Sequence, residues 1–180
     1  MDYFMEQIVI RKNRGLQEAM FFSSNIIMVI MAILGLMMLS TLLTSFTLFG
    51  CIYVLIMLGI ATYLFFIKEK LRTEFEYTFT NGDLDFAQVF NNKKRKSLGT
   101  MVVKNVEKFG KVNSEEFRKL NQMPELVRRN WFLNRDNELY YFYYQKEGKR
   151  NMIVFEPSPD LVEMITKFLP NSILLGNKNI

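Results

Sequence analysis

Hydrophobic and polar positions divide the chain into two regimes. From Ala19 to Ile67 no residue is charged, and Ile, Leu, Met and Phe dominate a run of 49 residues bounded by Glu18 and Lys68. A bilayer core of about 30 Å takes roughly 20 helical residues, so this run predicts two transmembrane helices, near residues 25–43 and 48–67. Ser40, Thr41, Thr44, Ser45 and Thr47, followed by Gly50, concentrate polarity between them and predict a turn over Thr41–Phe49. A buried hairpin of a soluble protein would need more surrounding material than 180 residues supply. A cleaved signal sequence is disfavoured because the run far exceeds an apolar segment of about 7 to 15 residues.

From Thr73 the pattern changes to alternation. Phe75, Tyr77 and Phe79 fall on one side of a strand and Glu74, Glu76 and Thr78 on the other, and Asn81-Gly82 supplies a two-residue hairpin turn leading into Leu84 and Phe86. A turn over Asn91–Lys96 precedes two further short strands marked by Leu98, Met101, Val103, Val106 and Phe109. Ser114 with Glu115 and Glu116 predicts a short helix that stops near Pro124. Strands then follow over Leu126–Leu133, Glu138–Gln145 and Arg150–Glu156, expected as an antiparallel meander. Ser158-Pro159-Asp160 starts a final helix whose apolar face is Leu161, Ile165, Phe168 and Leu169. The leader, residues 1–18, places Phe4, Met5 and Ile8 on one helical face, which predicts a short interfacial helix or a frayed terminus.

The organisation is thus a cytoplasmic or interfacial segment (1–18), a membrane hairpin (19–67) and one cytoplasmic domain (73–180). The fold class is a membrane α-helical hairpin plus α+β: a small antiparallel β-barrel or sandwich of about seven strands capped by a C-terminal helix. Arg11, Lys12 and Arg14 precede the first span, and Lys68, Lys70 and Arg72 follow the second. Positive flanks on both sides predict a multi-pass protein of the cell membrane with both termini cytoplasmic.

Composition removes chemistries. The chain has no His and a single Cys, Cys51, inside the apolar run, so imidazole catalysis, His-ligated metal, thiolate zinc sites and an intrachain disulfide are all excluded. No phosphate-cradling or dinucleotide-binding glycine motif occurs. Asp83 and Asp85 alternate with Leu84 and Phe86 and read as a solvated strand face rather than a metal site. The aromatic run Tyr140–Tyr144 reads as a strand buried on one face and covering a membrane-proximal surface on the other, rather than a platform for nucleic acid. The net charge of +5 is mild and suits an anionic leaflet.

The Thr78-Phe79-Thr80-Asn81-Gly82-Asp83-Leu84-Asp85 stretch, the Asn92-Lys93-Lys94-Arg95-Lys96 turn, the Phe155-Glu156-Pro157 step and the double span together resemble a family of uncharacterised small two-span membrane proteins of Firmicutes bacteria. The cytoplasmic part of that family resembles bacterial pleckstrin-homology-like (PH-like) domains. The resemblance implies a PH-like fold and brings no activity, cofactor or site residues with it.

The sequence therefore reads as a membrane-anchored, non-catalytic binding or scaffold protein, with an accessory subunit of a larger membrane complex as the alternative and an enzyme built on carboxylates, Lys and Tyr ranked last. Its expected partners are the lipid bilayer and either anionic headgroups or another membrane protein, with no nucleic acid and no cofactor. No Gly-x-x-x-Gly marks an oligomeric interface. The candidate anionic-lipid surface is Lys93, Lys94, Arg95 and Lys96, each of which adds about 1 kcal/mol of attraction within a Debye length near 8 Å of the leaflet.

Overall fold

The computed structural model describes residues 2–171 and 173, so residues 174–180 of the expected C-terminal domain lie outside the described residues. The chain forms two compact units. One is built of residues 13–73 and 90–94; the other takes residues 1–12, 74–89 and the chain from 95 onward.

The first unit is a helical hairpin of α1 (Gly15–Thr44) and α2 (Leu48–Leu71), both long and apolar enough to cross a membrane. The turn is tighter than expected, only Ser45–Thr47, because Thr47 caps α2 by accepting a hydrogen bond from the Gly50 amide at 3.3 Å. Hydroxyls within the helices are satisfied by carbonyls three or four residues back, as for Ser24, Ser40, Thr44 and Thr62. Gly35 packs on Leu58 and Met57, and a Cβ at Gly50 would come within 2.7 Å of Leu42. In their most apolar windows only 6% of α1 and 11% of α2 is buried, so these are not the wrapped helices of a soluble core.

The second unit holds two four-stranded sheets. In the first, β1 (Phe4–Val9), β2 (Thr73–Thr80), β3 (Asp83–Phe90) and β4 (Lys94–Val102) lie side by side in that order. The second contains β5 (Lys108–Lys111), β6 (Val127–Trp131), β7 (Tyr140–Lys146) and β8 (Lys149–Phe155), in the order β5-β7-β8-β6. Asn81 and Gly82 turn the β2–β3 hairpin at positive φ, 49° and 99°, as their sequence predicts.

Three expectations need correction. The leader is a strand: its true period is two, with Met5, Gln7 and Val9 inward, and β1 pairs antiparallel with β2 from Phe4↔Thr80 to Val9↔Phe75. The seven strands expected after the spans are present, and β1 makes eight among the described residues. The sheets are not a closed barrel. Nor is the fold all antiparallel, since β6 runs parallel to β8 (Val127↔Asn151 to Trp131↔Phe155). β7 already has β5 and β8 on its two sides, which leaves β6 only the far side of β8.

Burial follows this arrangement. Tyr77, Phe79 and Phe86 of the first sheet, Phe109, Phe142 and Phe155 of the second, and Leu161 and Ile165 of α4 (Pro159–Thr166) share one core. A second core forms on the other face of the second sheet, where Phe117 and Leu120 of α3 (Glu115–Asn121) meet Tyr141, Tyr143, Met152 and Val154. The aromatic strand β7 is therefore buried on both faces, and α3 occupies the face expected to lie toward the membrane. Ser114 and Ser158 cap α3 and α4 as predicted.

Candidate functional site

The basic turn is assembled by two asparagines. Asn91 and Asn92 adopt left-handed φ of 49° and 54°, a conformation Asn tolerates better than most residues, and this reverses the chain before β4. The turn is attached to the end of α2: the Asn91 amide donates to the Arg72 carbonyl at 2.7 Å, and Arg72 Nη1 donates to Asn91 Oδ1 at 3.2 Å. Lys93 lies 3.6 Å from Glu69 of the same helix.

The four cations are not equivalent. Lys93 pairs with Glu69, and Arg95 pairs at 2.8 Å with the largely covered carboxylate of Glu76. Lys94 and Lys96 are exposed, with no ion-pair partner among the described residues. Because strand neighbours point to opposite faces, Lys94 and Lys96 project together and Arg95 away from them. Two of the four charges are offset by carboxylates, which halves the attraction expected of the run to about 2 kcal/mol. Exposed pairs contribute little to stability, so Lys93 remains able to exchange partners, whereas Arg95 is held on a covered carboxylate.

The juxtamembrane cations named from sequence are also partly engaged. Arg72 bonds the Glu18 carboxylate and stacks 3.8 Å from the centre of the Phe21 ring, while Lys68 Nζ donates to Asn25 Oδ1 at 2.7 Å. These contacts join the two ends of the hairpin. Of the three, Lys70 alone is exposed. Sequence reading missed both pairs, although Glu18 immediately precedes the uncharged run and Asn25 lies in its first two turns.

A second polar constellation surrounds Glu156, which is 5% exposed. Its carboxylate accepts from the Leu133 amide at 3.3 Å, the Asn134 amide at 3.0 Å, Asn134 Nδ2 at 2.9 Å and Asn137 Nδ2. Four donors occupy its lone pairs, so it acts as a latch rather than a base. Asn134 reaches on to β1's continuation, donating to the Ile10 carbonyl at 2.9 Å and accepting from the Lys12 amide at 2.8 Å. Gln7 donates to the Glu156 carbonyl at 2.9 Å and accepts from the Ser158 amide at 2.7 Å. The Tyr77 hydroxyl donates to the Trp131 carbonyl and accepts from the Glu156 amide, and burial pushes its pKa far above the usual range. A cleft of about 400 Å³ opens beside Gln7, Glu138, Tyr140, Glu156 and Val162. The Phe155-Glu156-Pro157 step was visible in the sequence; its donors, brought from far along the chain, were not.

Among the described residues no three acidic, Cys or His groups converge as a metal site would need. Two four-stranded sheets followed by a C-terminal helix are an arrangement compatible with a PH-like domain. The chain belongs to the family described as Bacterial PH-like domain (DUF6106), which matches residues 1–175. The match takes in the leader and both helices, in keeping with β1 being part of the domain. No curated protein and no solved structure matches the chain.

Proposed function

We propose that this protein is a membrane-anchored, non-catalytic module that presents its PH-like domain at the cytoplasmic face of the cell membrane, with Lys93, Lys94, Arg95 and Lys96 against anionic headgroups. The observation that carries this reading is the attachment of the basic turn to the C-terminal end of α2 through Asn91, Arg72 and Glu69. A turn fixed to the end of a spanning helix stays within a Debye length or two of the headgroups. PH-like domains are generally non-catalytic, and the absence of His from the sequence agrees with that role.

Topology is supported by sheet register. Val9 and Phe75 are partners, which favours an even number of crossings with both ends of the hairpin on one side of the membrane. The cations flanking both helices favour the cytoplasm as that side.

The test uses the domain with residues 13–72 replaced by a short Gly/Ser linker and mixed with vesicles of neutral or partly anionic lipid. Weak binding to anionic vesicles that disappears at high salt is expected. Replacing all four by Gln should remove it, and Arg95→Gln alone should cost least, because with Glu69 deleted only Arg95 keeps its carboxylate partner, Glu76. Equal binding to neutral vesicles, or no effect of replacing all four, would refute the lipid-facing role of the turn.

A further inference from the structure

We propose that the outer face of β1, carrying Phe4, Ile8 and Ile10, lies in the headgroup layer of an anionic leaflet and forms a lipid contact separate from the basic turn. The inference rests on the membrane-anchored reading above. Alternation turns Met5, Gln7 and Val9 inward and leaves Phe4, Glu6 and Ile8 on the opposite face, which Ile10 continues. Phe4 is 63% exposed, Ile8 55% and Ile10 47%. The outer positions of the neighbouring strand are polar, Thr80 opposite Phe4 and Glu76 opposite Ile8, so nothing on β2 covers the row. Leaving side chains of this size in water forgoes the gain of removing their apolar surface from it, a cost that an aqueous surface strand avoids by using polar residues, as β2 does.

Chain connectivity selects lipid as the occupant. Only Arg11, Lys12, Asn13 and Arg14 separate Ile10 from the first residue of α1, so the strand is covalently confined to the neighbourhood of the surface that α1 enters. Three of those four residues are basic, placing positive charge at the end of the apolar row, where anionic headgroups would meet it. Glu6 on this row, with Glu76 beside Ile8 paired to Arg95, limits insertion to the hydrated headgroup layer.

The experiment uses the full-length protein, with Cys51→Ser, in vesicles of phosphatidylcholine and phosphatidylglycerol. A fluorophore is attached through Phe4→Cys or Ile8→Cys, and through Glu163→Cys on exposed α4 as an aqueous control. Ile10→Cys replaces either position if its thermal unfolding departs from that of the control. Quenching by a headgroup nitroxide lipid several-fold stronger at positions 4 and 8 than at 163, with weaker quenching by acrylamide, supports the proposal. Quenching equal to the control at either position overturns it. So does protection from acrylamide without lipid quenching, an outcome that, with cross-linking between copies, assigns the face to a second copy of this chain. Repeating the measurement with Lys93, Lys94, Arg95 and Lys96 replaced by Gln separates the two contacts. Retained quenching at position 8 supports an independent contact, whatever becomes of the turn; lost quenching makes the face a bystander of the turn and overturns the inference.

Discussion

Val9 and Phe75 are register partners in adjacent antiparallel strands, although the whole of α1 and α2 lies between them in sequence. The helical hairpin thus occupies the place of an ordinary β-hairpin loop, and the PH-like domain is complete only when both flanks are present. Replacing residues 13–72 by a short Gly/Ser linker should give a soluble protein with a single cooperative thermal transition, because the two strand ends already meet. A fragment beginning at Thr73 lacks Val9, Gln7 and the pairing of β2, and should aggregate or unfold at markedly lower temperature. Equal melting temperatures for the two would show the leader to be dispensable.

Single substitutions in β1 offer a finer measure. Val9 is 4% exposed, and Val9→Asp places a charge in the core, costing several kcal/mol out of a total of about 5 to 15. Gln7→Ala removes both hydrogen bonds to the 156–158 segment and leaves the Ser158 amide without an acceptor, for about 1 to 3 kcal/mol. Chemical denaturation of the linker form would read both. Ile8→Ser, on the exposed face, should be nearly neutral in the same assay.

Glu156 should resist isosteric replacement. Glu156→Gln presents an amide group to donors that the carboxylate now accepts, so at least one of the Leu133, Asn134 and Asn137 groups loses its acceptor. Destabilisation of about 2 kcal/mol or more is expected, with the Lys12 amide exchanging faster with solvent because it donates to Asn134. Hydrogen exchange measured at Lys12 checks this.

Alkaline stability follows from buried tyrosines. Burial raises the pKa of both Tyr77 and Tyr141 above the ordinary value of 10.0, with the Glu116 carboxylate adding to the effect at Tyr141. Below pH 10 both are neutral in either state and stability is unaffected. Above it the unfolded chain loses these protons while the folded chain keeps them, so stability falls with rising pH by up to about 1.4 kcal/mol per pH unit for each group. Denaturation midpoints between pH 9 and 11 should decline, less steeply in Tyr141→Phe. An unchanged slope in that variant would place Tyr141's titration at its ordinary value.

Much of this architecture is legible in the residues. Uncharged length gave the hairpin, Asn81-Gly82 the β2–β3 turn, and Ser114 and Ser158 the helix starts, because each of these signals is local. Errors arose where the deciding partner was remote. Phe4, Met5 and Ile8 fit a helical face as well as a strand period, and only β2, beyond the spans, selects the strand. Tyr140–Tyr144 revealed burial, but α3 as the cover for its second face depended on tertiary packing. The basic run was visible as four charges; that Glu69 and Glu76 offset two of them depended on where β4 and α2 bring those carboxylates.

The split of the domain around its helical hairpin also sets an order of events during synthesis. β1 is translated before both helices, yet β2, its sheet partner among the described residues, is translated after them. A strand carrying Phe4, Met5, Ile8 and Val9 must therefore stay unpaired until the hairpin and β2 have been made. A nascent chain stalled before Thr80 would expose β1 to chaperones and proteases. One released past Phe155 would have every described strand in hand, which places completion of both sheets after synthesis of the helical hairpin.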